Sequence, residues 1–288
     1  MPRALVFGGS GQIGVPLLQR LQGAGWQVDA VSREAHASGD GVQWLRGDLE
    51  RVDGLPREVD AIFSCGPLDH FARWYAASAI EAPRVLAFGS TSVEVKGDSP
   101  DPAERDLAHR LHEGEQRVFT TATARDAQAT LLRPTLVYGA GRDQTLTRIA
   151  ALARQWGRFV LPRNARGLRQ PVHVDDLAAA AMAALGASAA HGRAYDLPGG
   201  ETLPYREMVA RTLAVLQPPP RLIEVPSPVF ATALLGARAF GRAGGFGNAA
   251  LLRMREDLVF DAAPARDDFG YAPRPFRPTE GMFAASGG

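Results

Sequence analysis

The sequence predicts an α/β fold, a doubly wound parallel sheet with a small split C-terminal domain, and three observations carry that prediction. Short apolar runs rich in Val, Ile and Phe alternate with longer stretches of helical periodicity. The first run ends in a glycine-rich turn, VFGGSGQIG, that opens an apolar helix. The alternation holds as far as Arg142 and then loosens, as expected if a second, smaller unit takes over.

In chain order, strands are expected over residues 4–7, 27–32, 42–45, 61–64, 84–89 and 129–132, each followed by a crossover. A helix begins after Ser99, where Asp101 suits the N-cap, Pro102 the first helical position and Glu104 the closing carboxylate of a capping box. It should run to about residue 123. Beyond Arg142 a helix is expected over 146–156, a Gly/Arg-rich turn over 164–167 and a return over 172–174. The segment PPPRLIEVPSP punctuates the chain, and the residues after it read as a small, separate cap. There a helix over 228–240, with Val229, Phe230, Leu234, Leu235 and Phe240, would line a pocket or seal a small core. The boundaries expected are 1–142 with 172–217 for a dinucleotide-binding domain, and 143–171 with 218–288 for a substrate domain.

Composition excludes several classes of function. The formal net charge is +1 and the basic residues are scattered, so a nucleic-acid partner is not expected. Of the 32 basic residues only Lys96 is a lysine, a bias that reads as genome composition rather than chemistry, and Lys96 itself is expected to be a solvated loop residue. Cys65 is the only cysteine, which forbids an intrachain disulfide and suits a reducing, cytoplasmic setting. No leader is expected at the N-terminus, and no uncharged apolar run reaches the length of about 18 residues needed for a membrane span. The nearest approach, over 228–246, is broken by Arg238, Arg242 and several glycines.

Gly8, Gly11 and Gly14 stand at Gly-x-x-Gly-x-x-Gly spacing. In a Rossmann-type fold such glycines allow the tight turn, the approach of backbone to a pyrophosphate and the close packing of helix on sheet. The free N–H groups of the helix then face the phosphates. An acidic residue at the end of the second strand would hold an adenosine ribose 2′-hydroxyl, but here that strand ends in Ser32 followed by Arg33. A hydroxyl and a guanidinium accept a 2′-phosphate that a carboxylate would repel. NADP(H) is therefore expected over NAD(H).

With those residues in view, the chain resembles the extended branch of the short-chain dehydrogenase/reductase superfamily, the NAD(P)-dependent epimerases and dehydratases, along nearly its whole length. FGGSGQIG is similar to the branch's cofactor loop, GDL at Gly47–Leu49 to its adenine-contacting motif, and LLRPTLVYGAG to the segment beside the nicotinamide. PVHVDDLAAA resembles the return into the cofactor domain, and DAAPARDDFGYAPRPF the closing helix and turn. The resemblance implies cofactor contacts at Gly8, Ser10, Gly11, Gln12 and Ile13 in the loop. Further contacts are implied at Asp48 and Leu49, at Cys65 and Gly66, and at Pro134, beside Ser32 and Arg33. It implies a hydroxyl for the reacting oxygen in GSTS, at Thr91 first with Ser90 and Ser92 close behind, and a substrate-facing cation at Arg169. It also implies a sugar-like substrate, nucleotide- or lipid-linked, and a homodimer formed through flank helices.

One part of the family's pattern is missing. Its proton donor is a tyrosine four residues before a lysine on the helix after the fifth strand. If Glu115 matches the glutamate that comes after that lysine, the two positions hold Leu107 and Leu111. His109 or His112 on that helix, or Tyr138, would be substitutes able to exchange a proton. Two readings stand at this point: an atypical NADP-dependent reductase, epimerase or dehydratase, or a non-catalytic NADP-binding redox sensor or structural subunit.

Overall fold

The computed structural model describes residues 1–230, 232 and 253–283. Seven parallel strands form the main sheet: β1 (Arg3–Phe7), β2 (Gln27–Ser32), β3 (Val42–Arg46), β4 (Ala61–Ser64), β5 (Arg84–Phe88), β6 (Gln128–Pro134) and β11 (Arg193–Leu197). Their order is β11-β6-β5-β4-β1-β2-β3, so β1 pairs with β2 on one side and β4 on the other. The order reverses across β1, which opens a crevice at the carboxyl ends of these strands. Phe7 is in register with both Val31 and Ser64, so the turns after β1, β2 and β4 meet at one level.

Alternation along the strands builds two cores. From β1, Ala4 and Val6 pack on the side of α1 (Gly14–Gly23) and α6 (Val174–Gly186), while Leu5 and Phe7 face α2 (Leu68–Ala77) and α4 (Pro102–Ala124). Helix α4 buries Ala108, Leu111, Glu115, Val118 and Ala122, a stripe at three- and four-residue spacing. It starts where expected, with the Asp101 carboxylate accepting from the Ala103 N–H at 2.9 Å. The expected capping box is replaced by a relay: Ser99 Oγ accepts from the Asp101 N–H at 3.2 Å and donates to Glu104 at 2.7 Å.

A third core joins α5 (Leu146–Trp156), β8 (Arg158–Pro162) and α7 (Tyr205–Ala214) through Leu146, Ile149, Phe159, Leu161, Met208 and Leu213, sealed by Met254, Phe276 and Phe283. Helix α7, grouped by sequence with the dinucleotide-binding part, thus packs its buried face here. Three short pairs complete the connections: β7 (Val137–Tyr138) with β10 (Val172–His173), β9 (Leu168–Arg169) with β12 (Leu203–Pro204), and β8 with β13 (Arg221–Val225). β13 is the RLIEV of the segment expected to act only as punctuation. The closing helix, α8 (Ala263–Phe269), ends on Gly270 with φ +72°. The helix expected over 228–240 lies largely outside the described residues, Leu234, Leu235 and Phe240 included.

Candidate functional site

The turn after β1 can be built only from glycine. Gly8 has φ +74°, and a Cβ there would lie 3.0 Å from the Cys65 carbonyl carbon at the end of β4. At Gly14 a Cβ would fall 2.0 Å from the Gly8 oxygen. The first turn of α1 therefore lies directly on the loop, and the Gly11 N–H donates to Gly8 O at 2.9 Å. Beside it the Gln12 side-chain oxygen is buried without a hydrogen-bond partner. A helix packed this closely on a glycine turn and an orphaned buried oxygen beside it both fit a bound dinucleotide.

From this turn a cleft of about 1340 Å³ runs along the ends of β1, β2 and β3. It brings together Gly8, Ser10, Gly11, Ser32, Arg33, Asp48, Leu49 and Gly66. Ile13 instead packs into the core, Cys65 presents its backbone to Gly8, and Pro134 offers its carbonyl to Thr91. Burial pushes the Cys65 thiol up to about 12. Asp48 accepts from the Glu50 and Arg51 N–H groups at 2.8 and 2.9 Å; the Arg51 bond first, then that from Glu50, holds its carboxyl below the usual range. Arg142 reaches back to donate to Ser10 O at 2.6 Å, tying the loop after β7 to the glycine turn. His36, Trp44 and His70 also line the cleft, and no spacing in the sequence marks them.

The GSTS segment after β5 separates two of its candidate hydroxyls. Thr91 is buried, and both its N–H and its Oγ1 donate to Pro134 O at 3.3 Å, so its proton goes to the backbone. Ser92, half-buried at the start of α3 (Ser92–Val95), has no side-chain hydrogen bond among the described residues. On α4, Leu107 and Leu111 pack into the core. His109 and His112 point outward, His109 pairing with Glu113 at 3.6 Å and His112 meeting Gln116 at 2.9 Å. Tyr138 is buried, packed edge-on between His173 and Phe276, and burial pushes its hydroxyl pKa up. None of these three offers the family's tyrosine chemistry at an open surface.

Below the GSTS segment, Arg133 on β6 grips buried Glu115 through two bonds of 2.7 and 2.6 Å and reaches Glu94 of α3 at 2.7 Å. Asp196 of β11, in register with Arg133, stands 3.8 Å away. One guanidinium thus serves three carboxylates. Burial first, then Glu94, pushes Asp196 up to about 6, against the pull of Arg133.

Two basic side chains differ from expectation. Arg169 is buried, and its guanidinium donates to the carbonyls of Leu168, Glu256 and Arg253 while stacking on Tyr205. It clamps the chain around Met254 to the core rather than facing a substrate, its donors spent on backbone carbonyls. Lys96, expected to be a solvated loop residue, ends α3 and is half-buried, 3.8 Å from Glu104, which Arg253 also engages. Burial, with Arg253 nearby, lowers its pKa.

A sheet of this order, a glycine turn at its switch point and a cleft along the strand ends define a dinucleotide-binding fold of Rossmann type. Comparison with known proteins narrows the class. Residues 75–197 match the NAD dependent epimerase/dehydratase family. The chain is 31% identical to a 2-alkyl-3-oxoalkanoate reductase of Stenotrophomonas maltophilia (strain K279a) across 94% of this chain and 95% of that one. It is 28% identical to an NAD(P)H azoreductase of Xenophilus azovorans over 77% of this chain and 76% of the other. MoeE5, solved with UDP-glucuronic acid and NAD, superposes with a TM-score of 0.69 at 18% identity, covering 95% and 94% of the two chains. The chain belongs to the NAD-dependent epimerase/dehydratase family and is an NAD(P)-dependent enzyme of oxidoreductase type. No helix among the described residues is long and apolar enough to cross a membrane, and none of their His, Cys, Asp and Glu side chains group to hold a metal.

Proposed function

We propose that this enzyme is an NADPH-dependent carbonyl reductase. The observation that carries the cofactor choice is the end of β2, where a buried hydroxyl, Ser32, and an exposed guanidinium, Arg33, stand in place of a carboxylate. Arg33 has no ion pair among the described residues, so its charge is available to a 2′-phosphate. NADH lacks that phosphate and is the weaker ligand.

NADPH held by the glycine turn supplies a hydride. Ser92 is the hydroxyl that donates to the substrate carbonyl oxygen, since the Thr91 proton is engaged by Pro134. The reductase relative, alike over nearly the full length, supports a ketone-bearing acid as substrate more than a nucleotide sugar. In the same direction, Arg169 and Arg253, which a nucleotide diphosphate would need, are engaged within the protein. A polar, sugar-like ketone remains within the same chemistry.

The test is oxidation of NADPH followed by absorbance against a panel of 3-oxo acids, simple ketones and nucleotide sugars. Turnover with NADPH, a preference of at least several-fold over NADH that Arg33→Ala removes, and a large loss of kcat in Ser92→Ala are expected. A chain that binds NADPH yet transfers label from it to no substrate would return the function to a redox sensor.

A further inference from the structure

We propose that His36, oriented by Ser32, is a ligand of the cofactor's 2′-phosphate beside Arg33, and that the three together set the preference for NADPH over NADH. This rests on the NADPH reading and goes beyond it by naming a residue that no glycine-turn or strand-end pattern marks.

Ser32, buried at the end of β2, is the centre of a small polar cluster. Its hydroxyl accepts from the Glu34 N–H at 3.2 Å, lies 3.2 Å from Ser10 Oγ and lies 3.1 Å from His36 Nε2. The ring of His36 sits against Trp44 of β3, centroids 4.3 Å apart at 36°. One edge of the imidazole is thus held by Ser32 and one face by Trp44, which fixes a side chain that would otherwise swing freely on an exposed loop. Its Nδ1 has no hydrogen-bond partner among the described residues. Ser32, Arg33 and His36 all line the cleft.

Charge makes a local ligand necessary. The cleft wall carries Arg33 and Arg142 but also Glu34, Asp40, Asp48 and Glu50, so its overall field does not favour an anion. Arg142 is turned toward the Ser10 carbonyl, and Arg33 also faces Asp48, adding to the backbone bonds that hold that carboxyl below its usual range. A phosphate at the end of β2 needs a directed donor close by, and the imidazole Nδ1–H, with Nε2 accepting from the Ser32 hydroxyl, provides one next to the guanidinium. A ribose 2′-hydroxyl makes no such demand.

The experiment compares dissociation constants of NADPH and NADH, by fluorescence titration, in the wild-type chain, His36→Phe, His36→Gln and Arg33→Ala. Phenylalanine keeps an aromatic ring on Trp44 and removes the nitrogens. His36→Phe is expected to weaken NADPH about tenfold, in the range of a hydrogen bond to a charged group, and to leave NADH unchanged. His36→Gln, which retains a donor, should lose less. Unchanged NADH affinity also reports an intact cleft. Equal losses for both cofactors, as from a ring that stacks on adenine or merely props the loop, would overturn the proposal, as would an unaltered NADPH affinity beside a damaged Arg33→Ala. A wild-type chain without preference for NADPH would instead remove the reading beneath it.

Discussion

Asp196 offers a stability measurement with a defined sign. Its carboxyl is pushed from the usual 3.8 up to about 6, by burial and then by Glu94, with Arg133 pulling the other way. Its side chain is only 17% exposed, so solvent screening does not erase the effect. A carboxyl whose folded pKa is raised binds protons more tightly in the native state than in the unfolded one. Its contribution is fully present below about pH 4 and is lost as the pH rises to about 6 and beyond. The rise is worth about 3 kcal/mol at neutral pH, at 1.36 kcal/mol per tenfold in proton affinity. Asp196→Asn, a neutral isostere, should therefore stabilise the chain by about 3 kcal/mol at about pH 7.5 and by about half that at about pH 5. Asp48, held below its usual range, acts with the opposite sign and at lower pH, where its stabilisation is lost as the carboxylate is protonated. The difference between variant and parent removes that contribution. Urea unfolding at the two pH values measures the difference, and either no gain at the higher pH or an equal gain at both would refute the reasoning.

Three further outcomes are expected from packing. Gly14→Ala, with its Cβ 2.0 Å from the Gly8 oxygen, must open the turn. It should lower stability by about 1–3 kcal/mol and weaken NADPH binding at least tenfold, as read by titration and thermal melting. Cys65, half-buried with its thiol pushed up to about 12, should label with a thiol reagent at mildly alkaline pH far more slowly in the folded chain than in the unfolded one, and equal rates would contradict the raised pKa. Ser99→Ala removes both links of the relay between the Asp101 N–H and Glu104. It should cost about 1 kcal/mol in urea unfolding, comparable with Asp101→Ala at the cap itself.

The first six strands are legible because each is a compact apolar run bounded by turn residues, and the expected bounds of 27–32 and 61–64, like those of the helix over 146–156, match the structure. The seventh, RAYDL, is not. Arg193 and Asp196 interrupt its apolar pattern, and what makes them tolerable lies far away in sequence: Asp268 for Arg193, Arg133 for Asp196. β13 is hidden for a similar reason, since its partner β8 lies far earlier in the chain and prolines flank it on both sides. The glycine turn can be read at the level of single atoms, because only glycine permits that geometry. The roles of Arg169, Lys96 and His36 cannot, because a long or titratable side chain takes its function from its neighbours. Arg169 is held by carbonyls from the segment around Met254, Lys96 lies beside Glu104, and His36 is fixed by Ser32 and Trp44.

The missing tyrosine and lysine show the same distinction. At Leu107 and Leu111 the upper turns of α4 have become core, whereas one turn lower Glu115 still grips Arg133 and holds β6 in place. On the alignment through Glu115, the positions of Leu107 and Leu111 pack in the core and carry no group that exchanges a proton. On the proposed reading, hydride transfer would depend on placing the substrate carbonyl against the nicotinamide, a placement assigned to the glycine turn and Ser92 and not to α4. A general acid contributes about a hundred- to ten-thousandfold. On the same reading, with no such acid on α4, the oxygen reduced at the substrate would take its proton from water or from a group on the substrate. The expected signature is slow turnover whose kcat rises as the substrate carries its own acidic proton near the carbonyl. A kcat indifferent to that substitution, at rates typical of the complete couple, would mean that another side chain supplies the proton.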